Sequence, residues 1–247
     1  DLKLTAPYMN IDTDDVGMTE WGWLQFGMEN YYTLLNCGFR LQPTAGTASG
    51  VHPVPLGHSR VYVKLDSGFD GKQWLRGLKQ GHSFVTTGPI LLTTVQNREP
   101  GTVFKQAPGT MQSYQVRGRA ICSQPLEVIE IIRQGNIIAT ITPDNQPTRL
   151  GAYQSTVDVD VDIDETSWIA VRCVQQSKDG RRRFAHTAPW HIEVGDAPIC
   201  PERIEVDYLI HRVNREIARN RNLLPAEVMA EYEEALKIYR GIAERAK

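Results

Sequence analysis

The chain has no long apolar run and no excess of charge of one sign. No stretch approaches the roughly 20 apolar residues that a membrane-spanning helix needs, so we predict no membrane span. A formal net charge of −2 gives no electrostatic reason to expect binding to nucleic acid or to an anionic membrane. With 247 residues and 41% hydrophobic content, the chain is long enough to bury a sizeable core and to form two domains.

Cysteine is scarce, and its spacing excludes the common cysteine motifs. Cys37, Cys122, Cys173 and Cys200 form no CxxC pair, so zinc-ribbon and thioredoxin-like sites have no support. Cys122 and Cys173 each end a strand-like segment and could face each other across a sandwich. A disulfide and two buried free thiols are both open at this point, because a free cysteine packs as a small hydrophobe.

Several motifs of catalysis are missing as well. The chain has no G-x-G-x-x-G or Walker sequence, and "GTASG" at residues 46–50 lacks the G-x-S-x-G order of a serine hydrolase. The loop that follows carries two histidines, His52 and His58, but residues 46–63 contain no carboxylate. Two histidines supply at most two of the three protein ligands that a catalytic zinc usually needs. We keep a metal-ligand role and a surface role as alternatives for both.

What the chain contains falls into three regions, with boundaries at residues 82 and 197. Residues 1–82 mix two helix-like segments, "MTEWGWLQFGMENYYTLLNCG" and "GKQWLRGLKQG", with two strand-like ones, "FRLQPTAG" and "SRVYVKL". Residues 83–197 alternate with a period of two between short turns, which predicts an immunoglobulin-like antiparallel β-sandwich. Residues 198–247 contain two apolar stripes of helical spacing and predict a helical hairpin. The predicted class is α+β and rich in β-structure.

The clearest strand is "TVDVDVDID" at residues 156–164. Its valines and isoleucine are predicted to face a core, and Asp158, Asp160 and Asp162 are predicted to face water. Alternating aspartates on a strand lie along an extended edge without a loop to wrap a cation, so we prefer a solvated face to a calcium site.

The sandwich could also be a ligand-binding module, with glycans as the ligand class. Trp168 and Trp190 are the candidate aromatic platforms, although core packing is the alternative for each. His186 follows the basic triplet Arg181–Arg183, which could contact a phosphate or an acidic glycan or could be solvated. Exposed indole rings would favour the binding module.

A third hypothesis keeps the chain as an enzyme. His52 and His58 would join Asp12, Asp14 or Asp15 of "NIDTDDVG" in an unusual metal site. The acidic loop could equally cap the first helix and face solvent, which is the interpretation we favour.

Longer stretches resemble a known family. "YYTLLNCGFRLQPTAGTASGVHPVPLGHSRVYVKL", "WLRGLKQGHSFVTTGP", "SWIAVRC" and "AHTAPWHIEV" are similar to the C-terminal half of the CehA/McbA-like branch of the PHP-type metallohydrolases. The resemblance covers Trp21 to Val194. It implies the last part of a distorted (β/α)7 barrel followed by a β-sandwich. Complete members bind two or three divalent metals such as zinc or manganese and hydrolyse phosphate or carbamate esters.

The resemblance also implies what this chain lacks. The N-terminal H-x-H motif of the family is absent, and the G-[ST]-D-x-H-like motif of its last barrel strand has Ala48 at the aspartate position and Gly50 at the histidine position. We therefore expect the C-terminal, non-catalytic portion of such a protein, with no cofactor bound to this chain alone. An N-terminal remainder of the same protein and a second copy of this chain are the expected partners. Relatives with a sandwich favour an extracytoplasmic location.

Overall fold

The computed structural model describes residues 5–48, 50, 54–176 and 180–247, and it divides the chain into two units. One unit contains Asp1–Phe39 with Pro198–Lys247, and the other contains Arg40–Ala197. The helices are α1 (Glu20–Asn36), α2 (Gly71–Gln80), α3 (Arg203–Asn220) and α4 (Ala226–Ala243). The strands are β1 (Arg60–Val63), β2 (Ser83–Thr86), β3 (Ile90–Val95), β4 (Val103–Gln106), β5 (Gln112–Cys122), β6 (Val128–Arg133), β7 (Asn136–Ile141), β8 (Gln146–Pro147), β9 (Tyr153–Ile163), β10 (Ser167–Gln176), β11 (Arg182–Thr187) and β12 (Trp190–Val194). Within the described residues, no helix combines the length and the apolar character needed to cross a bilayer.

The first unit is helical. Thr19 caps α1, because its hydroxyl accepts the backbone N–H of Gly22 at 3.0 Å. The helix ends at Cys37 and Gly38, and Gly38 has a φ of 93°, which a side chain would disfavour. Helices α3 and α4 pack on each other, so the predicted C-terminal helical pair is confirmed. The buried core of the first unit consists of Ala6, Met9, Cys37, Val206, Tyr208, Leu209 and Ile242.

The second unit is built from two sheets. The larger has eight strands along the path β1-β2-β11-β10-β12-β4, with β6 pairing β10 and with β7 on the far side of β6. The smaller has four strands in the order β3-β5-β9-β8. Side chains of both sheets form one core cluster, as in a sandwich. The mixed, β-rich α+β class is therefore confirmed, whereas the immunoglobulin-like identity stays a prediction.

The prediction for β9 is confirmed, and the turn between β6 and β7 has a defined type. On β9, Val157 and Val161 are buried and Asp158 and Asp160 are exposed, as the alternation predicts. Strands β6 and β7 form a hairpin, and Gln134 and Gly135 at its turn both have positive φ, the geometry of a type I′ turn.

One expectation differs from the structure. The strand-like "FRLQPTAG" is not a strand: residues 39–46 form no ladder with the described part of the chain, although the Arg40 side chain pairs with Glu193 on β12. In the two compact units, residues 1–39 group with the C-terminal helices and residues 40–82 group with the sheets, while the domain boundaries at residues 82 and 197 stay a prediction. Cys122 and Cys173 are both buried free thiols.

Candidate functional site

The loop that begins at Gly46 is fixed at its base by Thr47. The buried Thr47 hydroxyl donates to the carbonyl of Ser59 at 3.1 Å and accepts the Ser59 N–H at 3.2 Å. Ala48 follows with a φ of 48°, in the left-handed region. Thr47 and Ser59 therefore hold the two ends of the loop together just before β1, and Ala48 directly follows this contact.

Of the two histidines of this loop, the structure describes His58. The half-buried His58 lies on a turn, and its backbone N–H donates to the carbonyl of Pro55 at 3.1 Å. The prediction for His52 lies outside the described residues. Among the residues that are described, no three or more histidine, cysteine, aspartate or glutamate side chains are grouped as metal ligands would be.

The acidic loop of the first unit is organised around its own backbone. Asp14 Oδ1 accepts the N–H groups of Val16 and Gly17 at 2.9 and 3.0 Å, which closes a tight turn. Asp12 Oδ2 accepts the hydroxyl of Thr19 at 2.6 Å, and Thr19 in turn caps α1. These contacts match the capping and solvent-facing interpretation. Asp15 is exposed.

The tryptophans predicted as ligand platforms are in the wrong place for that role. Trp168 and Trp190 both have 0% exposure, so neither ring offers a face to a ligand. Trp190 belongs to the core between the sheets, and its Nε1 donates to the carbonyl of Arg98 at 2.9 Å. The core alternative is the correct one for both, because a large indole on a two-sided strand is buried more readily than it is displayed.

His186 is also placed differently from the prediction. It lies within β11 and is 3% exposed, so it is not a surface contact for an anion. Its Nδ1 lies 2.7 Å from the carbonyl oxygen of Thr187. Burial, reinforced by the charge of Arg172, lowers the pKa of His186 to about 4. The imidazole is therefore neutral near pH 7.

The sequence reasoning missed a row of ionisable side chains across the larger sheet. Arg172 on β10 lies directly opposite Glu130 on β6 and opposite His186 on β11. Arg172 Nε donates to Glu130 Oε2 at 2.7 Å, and these side chains are 14% and 12% exposed. The available signal was a charged residue flanked on both sides by apolar ones in each of two strands, Glu130 in "VIEIIR" and Arg172 in "WIAVRC". Such charges inside a sheet require a partner.

A second missed group lies in the first unit, around Glu205 at the start of α3. Glu205 is 7% exposed. Its Oε1 accepts the side-chain amide of Asn36 at 2.7 Å, and its Oε2 accepts the backbone N–H of Glu202 at 3.0 Å. Burial raises the pKa of Glu205 to about 7 although both hydrogen bonds oppose the shift, and the charges of Glu202 and Glu29 add to it.

Further polar side chains of the helical unit form hydrogen bonds of their own. The hydroxyls of Tyr8 and Thr33 lie 2.7 Å apart, and burial raises the pKa of Tyr8. The Tyr208 hydroxyl donates to Asn30 Oδ1 at 2.9 Å and accepts from Arg212 Nη1 at 3.0 Å. The N-terminal segment, α1 and α3 thus share three separate groups of hydrogen-bonded polar side chains in the helical unit.

The same unit has an open groove of about 480 Å³ between the end of α1 and α4. Phe39, Ile238 and Ile242 give it an apolar lining. At its rim, Arg245 Nη2 donates to the Cys37 carbonyl at 3.4 Å, and Lys237 pairs with Glu234 at 3.5 Å. The rim charges are therefore engaged with the backbone and with each other, which does not resemble a catalytic constellation.

Comparisons with known proteins leave the family of this chain undetermined. No family model, no curated protein and no solved structure matches it. A functional interpretation therefore rests on the residues and their geometry. The resemblance stated from the sequence remains a prediction.

Proposed function

We propose that this chain is the C-terminal, non-catalytic portion of a CehA/McbA-like protein of the PHP type. The observation that carries the proposal is the exposure of three large apolar side chains in the segment that resembles the end of the barrel. Leu56, Phe69 and Leu75 are 85%, 82% and 62% exposed. Exposed apolar side chains of this size favour a surface that packs against another part of the protein.

Helix α2 illustrates the point. Its only buried residue among ten is Gly77, against which the Val63 side chain packs closely. Trp74, Leu75 and Leu78 share one side of the helix, yet none of the three is fully buried. A helix with so marked an apolar side gains its stability from tertiary packing, so a missing neighbour explains the arrangement.

The segment before β1 supports the same proposal. Residues 39–46 have a strand-like sequence but form no ladder with the described residues. A barrel strand whose neighbouring strands are missing would show the same pattern. Thr47 nevertheless holds the start of the following loop against Ser59. The loop would keep its position while the rest of the barrel is supplied by the N-terminal remainder of the protein.

The metal of the family does not fit the loop residues of this chain. Ala48 and Gly50 occupy the positions of the expected aspartate and histidine, and neither a methyl group nor a hydrogen atom coordinates a cation. We therefore propose no hydrolytic step through this loop. The alternative is a metal-dependent hydrolase with an atypical site at His52 and His58. A measurement of metal content distinguishes it from the non-catalytic proposal.

Metal content is the first test. The purified chain is incubated with zinc or manganese, desalted and analysed by plasma mass spectrometry, with a phosphodiester and a carbamate ester as test substrates. We expect less than one equivalent of metal and no hydrolysis above the buffer rate. One or more equivalents that are lost in both His52→Ala and His58→Ala would overturn the non-catalytic part of the proposal and support the hydrolase.

The exposed apolar surface is tested by dye binding and by self-association. We expect the wild-type chain to bind an apolar fluorescent dye and to self-associate, and we expect Phe69→Lys/Leu75→Lys to reduce both. Leu150→Lys is the matched control, because Leu150 is 96% exposed but lies in the sandwich region. Equal effects of the control and the double variant would contradict a localised docking surface.

A further inference from the structure

We propose that Glu205 is a proton-controlled latch that joins the end of α1 to the start of α3 in the first unit. Its two carboxyl oxygens are used by two different elements, because Asn36 belongs to the last turn of α1 and Glu202 is the N-cap of α3. Asn36 and Glu205 are 169 positions apart in the chain. One side chain thus closes a long-range contact and completes the capping box of α3.

Among the described residues, the carboxyl of Glu205 has no cationic partner in an ion pair. The ionisable groups that act on Glu205 or are acted on by it are Tyr8 from the N-terminal segment, Glu29 from α1, Cys37 at the end of α1 and Glu202 from the start of α3. Arg245, at the C-terminal end of the unit, acts on Cys37. Within the described residues, no lysine or arginine forms an ion pair with Glu205. Neutral donors hold a carboxylate less well than a guanidinium does.

Protonation therefore decides how well the latch holds. A neutral carboxyl at this buried position keeps an acceptor oxygen for Asn36 without the penalty of a buried charge. An anion there is disfavoured by burial and by the two neighbouring glutamates, and the donors at the start of α3 offset only part of that. Opening the contact to water relieves the penalty, so deprotonation favours a looser junction of α1 and α3.

The direction of the pH effect follows from the raised pKa. An ordinary glutamate ionises near pH 4.5, whereas Glu205 in the fold ionises near pH 7. Between pH 4.5 and pH 7, the closed form holds a proton that the open form has lost. The closed form is therefore most stable near pH 4.5, and its stability decreases as the pH rises toward 7. Linkage limits the change in the opening equilibrium to about 10-fold per pH unit in this window.

Hydrogen exchange of the whole chain tests the latch. Protection factors, which are corrected for the intrinsic pH dependence of exchange, are measured between pH 5 and pH 8 for amides in the last turn of α1 and the first turn of α3. We expect a pH-dependent step in the wild type, in which protection falls as the pH rises toward 7 and levels off above it, and no such step in Glu205→Gln. Glu231→Gln, an exposed position on α4, should retain the wild-type step.

The glutamine variant has a cost that is independent of pH. It keeps one acceptor for Asn36 but turns an amide toward the N–H of Glu202, so its protection is expected to be lower throughout. A pH step that persists in Glu205→Gln would overturn the proposal. If the variant does not fold, a carbon-13 titration of the Glu205 carboxyl in the wild type decides: a midpoint near pH 7 supports the latch, and a midpoint near pH 4.5 overturns it.

Discussion

Two carboxyl groups with little exposure to water, one in each unit, have opposite surroundings. Glu130 in the sheet unit accepts from the Arg172 guanidinium at 2.7 Å. Glu205 in the helical unit accepts from an amide and a backbone N–H. Both are largely removed from water, so burial alone does not distinguish them. The difference is the charge of the donor.

The two folds explain why the donors differ. In an antiparallel sheet, residues on neighbouring strands lie directly opposite, so a glutamate on β6 can be matched by an arginine on β10. At the start of a helix, the nearest donors are the unpaired N–H groups of the first turn. A carboxyl in the sheet unit is therefore held by a charge, and a carboxyl at the start of α3 is held by dipoles.

The largest effect is expected when the charged partner in the sheet is removed. Arg172→Met leaves Glu130 buried without its cation, and breaking such a pair costs about 3–5 kcal/mol. We expect this loss in the free energy of unfolding, measured by urea denaturation with a sheet-specific signal. The double variant Glu130→Gln/Arg172→Met should recover most of it, because no uncompensated charge remains. A loss of less than about 1 kcal/mol for Arg172→Met would mean that water reaches the pair.

A smaller effect is expected when an acidic neighbour of Glu205 is neutralised. The charge of Glu29 contributes to the raised pKa of Glu205, so Glu29→Gln should lower the pH at which the step in hydrogen exchange levels off. The stability of the helical unit at pH 8 should rise by less than about 1 kcal/mol, because a raised carboxyl pKa lowers stability on the alkaline side. Hydrogen exchange between pH 5 and pH 8 measures the first effect, and thermal unfolding at pH 8 measures the second. An upward shift of the pH at which the step levels off would contradict this account.

The sequence predicts most of the regular structure for identifiable reasons. The apolar spacing of α1 and the glycine that follows Cys37 locate that helix and its end. The strict alternation on β9 predicts which side faces the core. These signals are local, since each element carries its own period and its own stop.

The sequence fails where the partner is distant. "FRLQPTAG" has the composition of a strand, but a strand also needs a neighbour, and no local pattern supplies one. Asn36 and Glu205 cannot be paired from a single sequence, because 169 positions separate them. Glu130 and Arg172 differ in one respect: each is a charged residue flanked by apolar residues within a strand, which signals a partner without identifying it. The buried tryptophans show the converse, since composition does not reveal on which side of a sheet a residue lies.

The smallest effect is expected for an exposed group of ion pairs on the smaller sheet. Arg117 on β5 lies 3.2 Å from Asp160 and 2.7 Å from Asp158, and the two aspartate side chains are more than half exposed. Water screens such pairs, so Asp160→Asn should change the free energy of unfolding by less than about 1 kcal/mol, and the change should vanish at high salt. Asp162→Asn, two residues along the same side of β9, is the matched control. A loss of more than about 2 kcal/mol for Asp160→Asn alone would show that depth in the sheet does not set the strength of these ion pairs.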